Sequence, residues 1–329
     1  WPDLLAFRKR LQEHQQESLL FDRLLTALQG VGLIKPHGVM RTDSTHVLAV
    51  VGRLSQLELV HESLRVALEA VNSLRPEWVA AEVPASFQEQ YFQPPREYGL
   101  SQTQVRQQLL RAGQDGFWFL AQLERLEDVA LKQHPTVVTL RAVLEQQFPH
   151  GPAEPPAKRR PTGKAVIESP HEPDARFAVK RGKSWVGYKV QVTETCDADT
   201  PHIITDLEPT DALENDAPQL PRIQKRLRAR QVSPGEQQAD QAYISGQNLA
   251  ESAQRGINLV GTPPADTQAP PGFQQVDFVI DTASRQVRCP AGQTQRTWSE
   301  APPDQNGLVC IQIRFAGATC QACPFFGRC

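Results

Sequence analysis

The chain has 329 residues, 40% of them hydrophobic, a formal net charge of −2 and an isoelectric point near 6.5. That length and apolar content suit one large domain or two smaller ones, and the near-neutral balance excludes whole-chain charge as the attraction for a polyanion. The longest apolar runs, such as Val47 to Val51, fall far short of the roughly 20 residues that span a bilayer, so a soluble globular protein with no membrane span is expected. The chain opens on Trp1 with no signal pattern behind it, which reads as a cut or internal start.

In chain order, apolar residues recur at helical spacing from Leu4 to Leu28, and Gly30 and Gly32 end the pattern, which predicts one amphipathic helix. Val39 to Val51 reads as a strand that carries Asp43 inside a β-rich run. Helices are predicted over Leu54 to Leu74, Ser101 to Arg111 and Phe117 to Lys132, with Pro76 breaking the first. Pro149, Pro152, Pro155, Pro156 and Pro161 beside Lys158, Arg159, Arg160 and Lys164 have the composition of an exposed linker.

Beyond that linker the pattern becomes mixed. Ser184 to Thr195 and His202 to Leu207 read as neighbouring strands. Asn215 or Asp216 can cap a helix running to about Arg230, which holds the basic residues Arg222, Lys225, Arg226, Arg228 and Arg230. A short strand ends near Asp240, then come a helix from Gly246 to Gln254 and a strand from Ile257 to Val260. Lys180, Arg181, Lys183, Trp185, Tyr188 and Lys189 surround one strand, the aromatics facing the core and the cations available to phosphates.

Two groups of side chains point to metal chemistry. Phosphodiester chemistry with two metals needs acidic oxygens that converge from different elements around hard Mg²⁺ ions. Asp43 inside a strand and Asp240 at a strand end suit that task, although taken alone Asp43 also fits a strand end or turn and Asp240 a helix N-cap. Glu194, Asp197, Asp199, Asp206 and Glu208 read as solvated loop and turn carboxylates, and His46 as structural. Cys320, Cys323 and Cys329, with Cys289 or alternatively Cys310 as a fourth, have the spacing of a tetrahedral zinc site in a reducing compartment, with unbound thiols as the alternative.

The segments Arg41 to Leu48, Leu57 to Arg65, Gly113 to Gly116 (read as a turn), Ser169 to Tyr188 and Ala239 to Ser245 together resemble, in the same order, the DDE transposases of bacterial insertion sequences. The resemblance spans nearly the whole chain. It implies a ribonuclease H-like core interrupted after its first strand by a helical insertion; with the small cysteine-bearing β-rich segment read from the residues themselves, an α/β fold is expected. The expected division is an N-terminal helical region over 1–38, a catalytic core over 39–262 with its insertion at 53–150 and linker at 151–165, and a cysteine-bearing segment over 263–329.

By the same resemblance Asp43 and Asp240 are the first and second catalytic aspartates, holding Mg²⁺ or Mn²⁺; Zn²⁺ at the cysteines is suggested separately, by their spacing. The implied activity is DNA transposition and recombination in the cytoplasm: hydrolysis at a transposon end, then attack of the freed 3′-hydroxyl on target DNA. The implied partner is DNA, with no membrane, and a homo-oligomer is compatible with the sequence. The family's third carboxylate, a glutamate on a later helix, has no matching segment before Cys329. The chain therefore reads as a fragment that is inactive alone. The alternatives are a non-catalytic DNA-binding remnant and a metal-dependent nuclease on the same fold.

Overall fold

The fold comes from a computed structural model that describes residues 2–93, 95, 99–154, 156, 166–180, 182–265, 269–303 and 309–329. Lys158, Arg159, Arg160 and Lys164, most of the expected linker, and Arg181 lie outside the described residues. In chain order the helices and strands are α1 (Pro2–Glu13), α2 (Leu19–Gly30), β1 (Val39–Leu48), α3 (Gln56–Leu74), α4 (Pro76–Glu82), α5 (Ala85–Tyr91), α6 (Gln102–Glu124), α7 (Val129–Lys132) and α8 (Pro135–Gln147). They continue with β2 (Arg176–Lys180), β3 (Lys183–Thr195), β4 (Ile204–Asp211), α9 (Leu220–Ala229), β5 (Glu236–Ala239), α10 (Gly246–Gln254) and β6 (Asn258–Val260). Last come β7 (Val279–Asp281), β8 (Gln286–Arg288), β9 (Thr297–Glu300), β10 (Ile311–Arg314) and α11 (Gly317–Gln321).

The protein is of mixed α/β class. Among the described residues, six strands form one sheet in the order β2-β3-β1-β5-β6, with β4 pairing β3. The β1–β5 and β5–β6 pairs are parallel, and β2 is antiparallel to β3. Bonds from Cys196 N to Val39 O and from Ala49 N to Val186 O mark an antiparallel β1–β3 pair. No helix among the described residues is long and apolar enough to cross a membrane.

The chain divides into two compact units, residues 1–43 with 192–207 and 215–329, and residues 44–191 with 208–214. The second unit holds α3 to α8 around an apolar core. In α3, Leu57, Val60, Leu64, Ala67, Leu68 and Val71 recur at three- and four-residue spacing and are all buried, the stripe expected of a core helix. Ser55 starts it with a reciprocal capping box: its hydroxyl accepts from Glu58 N while the Glu58 carboxylate accepts from Ser55 N.

Two expectations are corrected here. The segment Gly113 to Gly116 is not a turn, because α6 runs through it unbroken. Both glycines are buried, and a Cβ at Gly113 would stand 2.1 Å from Phe148 Cζ, so their lack of a side chain serves close packing against the end of α8. The single helix expected from Leu4 to Leu28 is two, α1 and α2, separated near Gln15, whose φ is 54°. Helical spacing of apolar residues carries across such a short break, which is why the pattern hides it.

In the first unit, Met40 of β1 packs with Leu25 of α2, Leu220, Ile223 and Leu227 of α9, and Tyr243, Ile244 and Leu259. Residues 269–329 differ in character. They form the antiparallel hairpins β7–β8 and β9–β10 and the short α11, and Val287 is the only buried side chain among their described residues.

Candidate active site

Strand β1 alternates sharply. Met40, Thr42 and Ser44 are buried while Arg41, Asp43 and Thr45 are exposed, as the two-residue period of a strand requires when one face is covered. Thr42 is the register partner of Ala239 on the parallel strand β5. Asp43 and Asp240 therefore occupy the next level, side by side on strands about 4.8 Å apart and on the uncovered face. They share a cleft of about 400 Å³ with Arg41, Val192, Glu194 and Gln238.

Asp240 lies just past the end of β5, and its Oδ1 accepts from Ala242 N at 2.9 Å, an Asx turn that fixes the carboxylate. Its Oδ2 has no hydrogen-bond partner among the described residues. It is not the N-cap of α10. Ser245 takes that role by accepting from Asn248 N at 3.1 Å.

Glu194 was missed as a cleft residue. It projects from β3 onto the uncovered face between the buried Thr193 and Thr195, and Arg41 Nε donates to its Oε1 at 2.5 Å. The strand alternation that exposes Asp43 also turns the half-buried Glu194 outward, so the signal was present in the sequence. His46 lies outside the cleft and packs against Trp185 with ring centroids 4.9 Å apart.

The covered face behind the cleft is held by a buried polar chain. Thr193 and Thr42 share a hydrogen bond of 2.9 Å between their hydroxyls, and Gln237 donates to Thr42 Oγ1 at 2.7 Å. Gln224 of α9 donates to Gln237 Oε1 at 2.9 Å and to Ser252 of α10 at 2.8 Å. These bonds pin β3, β1 and β5 to two helices from behind, so the level of Asp43 relative to Asp240 is fixed by groups that would be costly to leave unsatisfied.

The basic run on α9 divides in two. Arg226 and Arg230 turn inward to Asp206 at 2.7 and 2.5 Å. Asp206 is 0% exposed, so the expectation of a solvated carboxylate is wrong for it. A buried charge of this kind needs such partners. Arg222, Lys225 and Arg228 are exposed on the far side of α9 and make no ion pair among the described residues. Lys180 and Lys183 are exposed, Lys189 donates to Glu214 O at 2.6 Å, and Trp185 and Tyr188 are half-buried.

The four expected cysteine ligands, Cys289, Cys320, Cys323 and Cys329, line one cavity. Cys310 is exposed and off that cavity. Among the described residues, no group of three or more His, Cys, Asp or Glu side chains is placed so that it could hold a metal ion as it stands. No protein-family model matches the chain, and no curated protein matches it.

Proposed function

We propose that the protein is a metal-dependent DNA transposase of the DDE kind, with Asp43 and Asp240 as its paired metal-holding carboxylates. The observation that carries this reading is the register of β1 and β5, which sets the two aspartates at one level on an open face. The strand order supports a ribonuclease H-like core, since a central β1 flanked on one side by the antiparallel β3, which β4 pairs, and on the other by parallel β5 and β6 is the arrangement such a core requires.

The residues fit a hard cation. Mg²⁺ keeps several waters and is commonly held by one or two carboxylates together with substrate phosphates, so an exposed aspartate pair suffices for a first ion. A divalent cation bound there would help ionise the attacking hydroxyl and stabilise charge on the leaving oxygen. The protein's own part is positional. The Asx turn orients Asp240, the buried Thr42–Gln237–Gln224 chain fixes the strand level, and Arg41 offers a guanidinium at the cleft edge for a phosphate oxygen.

Pairing between Arg41 and Glu194 favours a second reading, a DNA-binding protein without chemistry, because it engages the third carboxylate of the cleft. Mn²⁺ titration separates the two. Weak binding by this chain should drop at least tenfold in Asp43→Asn and in Asp240→Asn, with unchanged thermal unfolding and DNA affinity. Equal Mn²⁺ affinity in both variants and the parent would sink the assignment. Joining of transposon ends to target DNA, against cutting alone, distinguishes a transposase from a nuclease.

A further inference from the structure

The residues from 269 onward lack the means to hold themselves together. A two-stranded hairpin is marginal in water, and a segment that buries only Val287 among its described residues has almost no apolar core. Small units of this kind hold a single conformation when a cross-link or an ion supplies what the core does not.

Four thiols of this segment share a cavity. Cys289, Cys320, Cys323 and Cys329 line one cavity of about 710 Å³, and all of them are free. Cys320 and Cys323 bracket a tight turn closed by Cys323 N donating to Cys320 O at 3.1 Å. Cys289 opens a second turn, in which Gly292 has φ 79° and Gln293 N donates to Cys289 Sγ at 3.4 Å. Phe273 on Phe325 and Phe278 on Phe315, with ring centroids 5.3 and 6.2 Å apart, pack in the same wall.

We propose that Cys289, Cys320, Cys323 and Cys329 bind one zinc ion as a tetrahedral thiolate site, and that this ion fixes the conformation of residues 269–329. Cys310 is not a ligand, which settles the choice the spacing leaves open. The thiols draw inward as they ionise: four S–H protons pass to solvent and four zinc–sulfur bonds of about 2.3 Å form, with no change in oxidation state. Soft thiolates select zinc over the hard cations suited to Asp43 and Asp240. This structural site is independent of the carboxylate reading.

The test is metal analysis of the whole 329-residue chain purified in reductant without chelator. About one zinc per chain is expected, retained in Cys310→Ser and lost in Cys289→Ser and Cys323→Ser. Because those variants can lose their fold, Co²⁺ is also added to chelator-stripped parent protein, where a thiolate-to-cobalt charge-transfer band should appear. Limited proteolysis should then cut the stripped protein within 269–329 and leave the reloaded protein protected there. Absence of zinc with all thiols freely titratable, or loss of zinc in Cys310→Ser as complete as in Cys323→Ser, overturns the site.

Discussion

His61 shows how burial sets the behaviour of a single residue. It is 5% exposed in α3, its Nδ1 has no partner among the described residues, and its ring packs on Tyr91 at 4.9 Å. Burial holds its pKa below the ordinary 6.5, with Arg65 acting in the same direction and Glu62 and a backbone bond at Gln90 opposing. The unfolded chain therefore takes up this proton near pH 6.5 while the folded chain does not. Stability from His61 is complete above 6.5 and is lost as pH falls from there towards the folded value, at up to about 1.4 kcal/mol per pH unit. Glu62 is lowered by its bond to Arg65 and then by His171, and its loss comes only below the ordinary 4.5. Urea midpoints between pH 7.5 and 5.5 should fall for the parent and fall less steeply for His61→Gln; parallel curves would contradict this account.

Among the elements, the contact between α6 and the end of α8 gives the sharpest expectation. An alanine at Gly113 would add a methyl 2.1 Å from Phe148 Cζ, and Phe148 is 2% exposed with little room to yield. Overpacking costs about 1–3 kcal/mol, which outweighs the roughly 0.5–1 kcal/mol gained by replacing a helical glycine. Gly113→Ala should therefore lower the melting temperature, and Gly116→Ala should do so less, because its Cβ would meet the softer Leu144 at 3.0 Å. A rise in melting temperature for Gly113→Ala would show that the helices separate freely.

These glycines also mark the limit of what local patterns tell. Gly-x-x-Gly carries the signature of a turn as readily as that of a close helix contact, and only the partner helix decides. Strong periodicity was readable: α10 occupies the expected Gly246 to Gln254, and β3 begins one residue before the expected Ser184. Asp206 was not readable, since its partners Arg226 and Arg230 lie 20 and 24 residues further along. The level shared by Asp43 and Asp240 also depends on pairing between distant strands, which a single strand's alternation cannot supply. Alternation did contain the outward direction of Asp43 and Glu194.

For the whole molecule, a net charge of −2 means that the DNA binding proposed above would have to come from local patches. Arg222, Lys225 and Arg228 stand on the far side of α9, away from the sheet, and cannot serve the same phosphate as Asp43 and Asp240. Under the proposed function they would instead hold a flanking stretch of duplex. Each phosphate contact adds about 0.9 to the slope of log affinity against log salt, so replacing all three with glutamine should shallow that slope by up to about 2.7. The change should be the same for unrelated DNA sequences. An unchanged slope would place the duplex elsewhere on the protein.

The bond from Gln237 to Thr42 joins residues 195 positions apart, and that span governs how the protein is born. At roughly 5–20 residues per second, a ribosome takes about 9 to 38 seconds after releasing β1 to deliver β5. Throughout that interval the β5-facing edge of Val39 to Leu48 stays open, a template onto which a neighbouring nascent chain can pair. Crowding on polysomes, warmth during expression or a pause in translation before residue 236 should each divert chains into aggregates at this step, before the two aspartates have met.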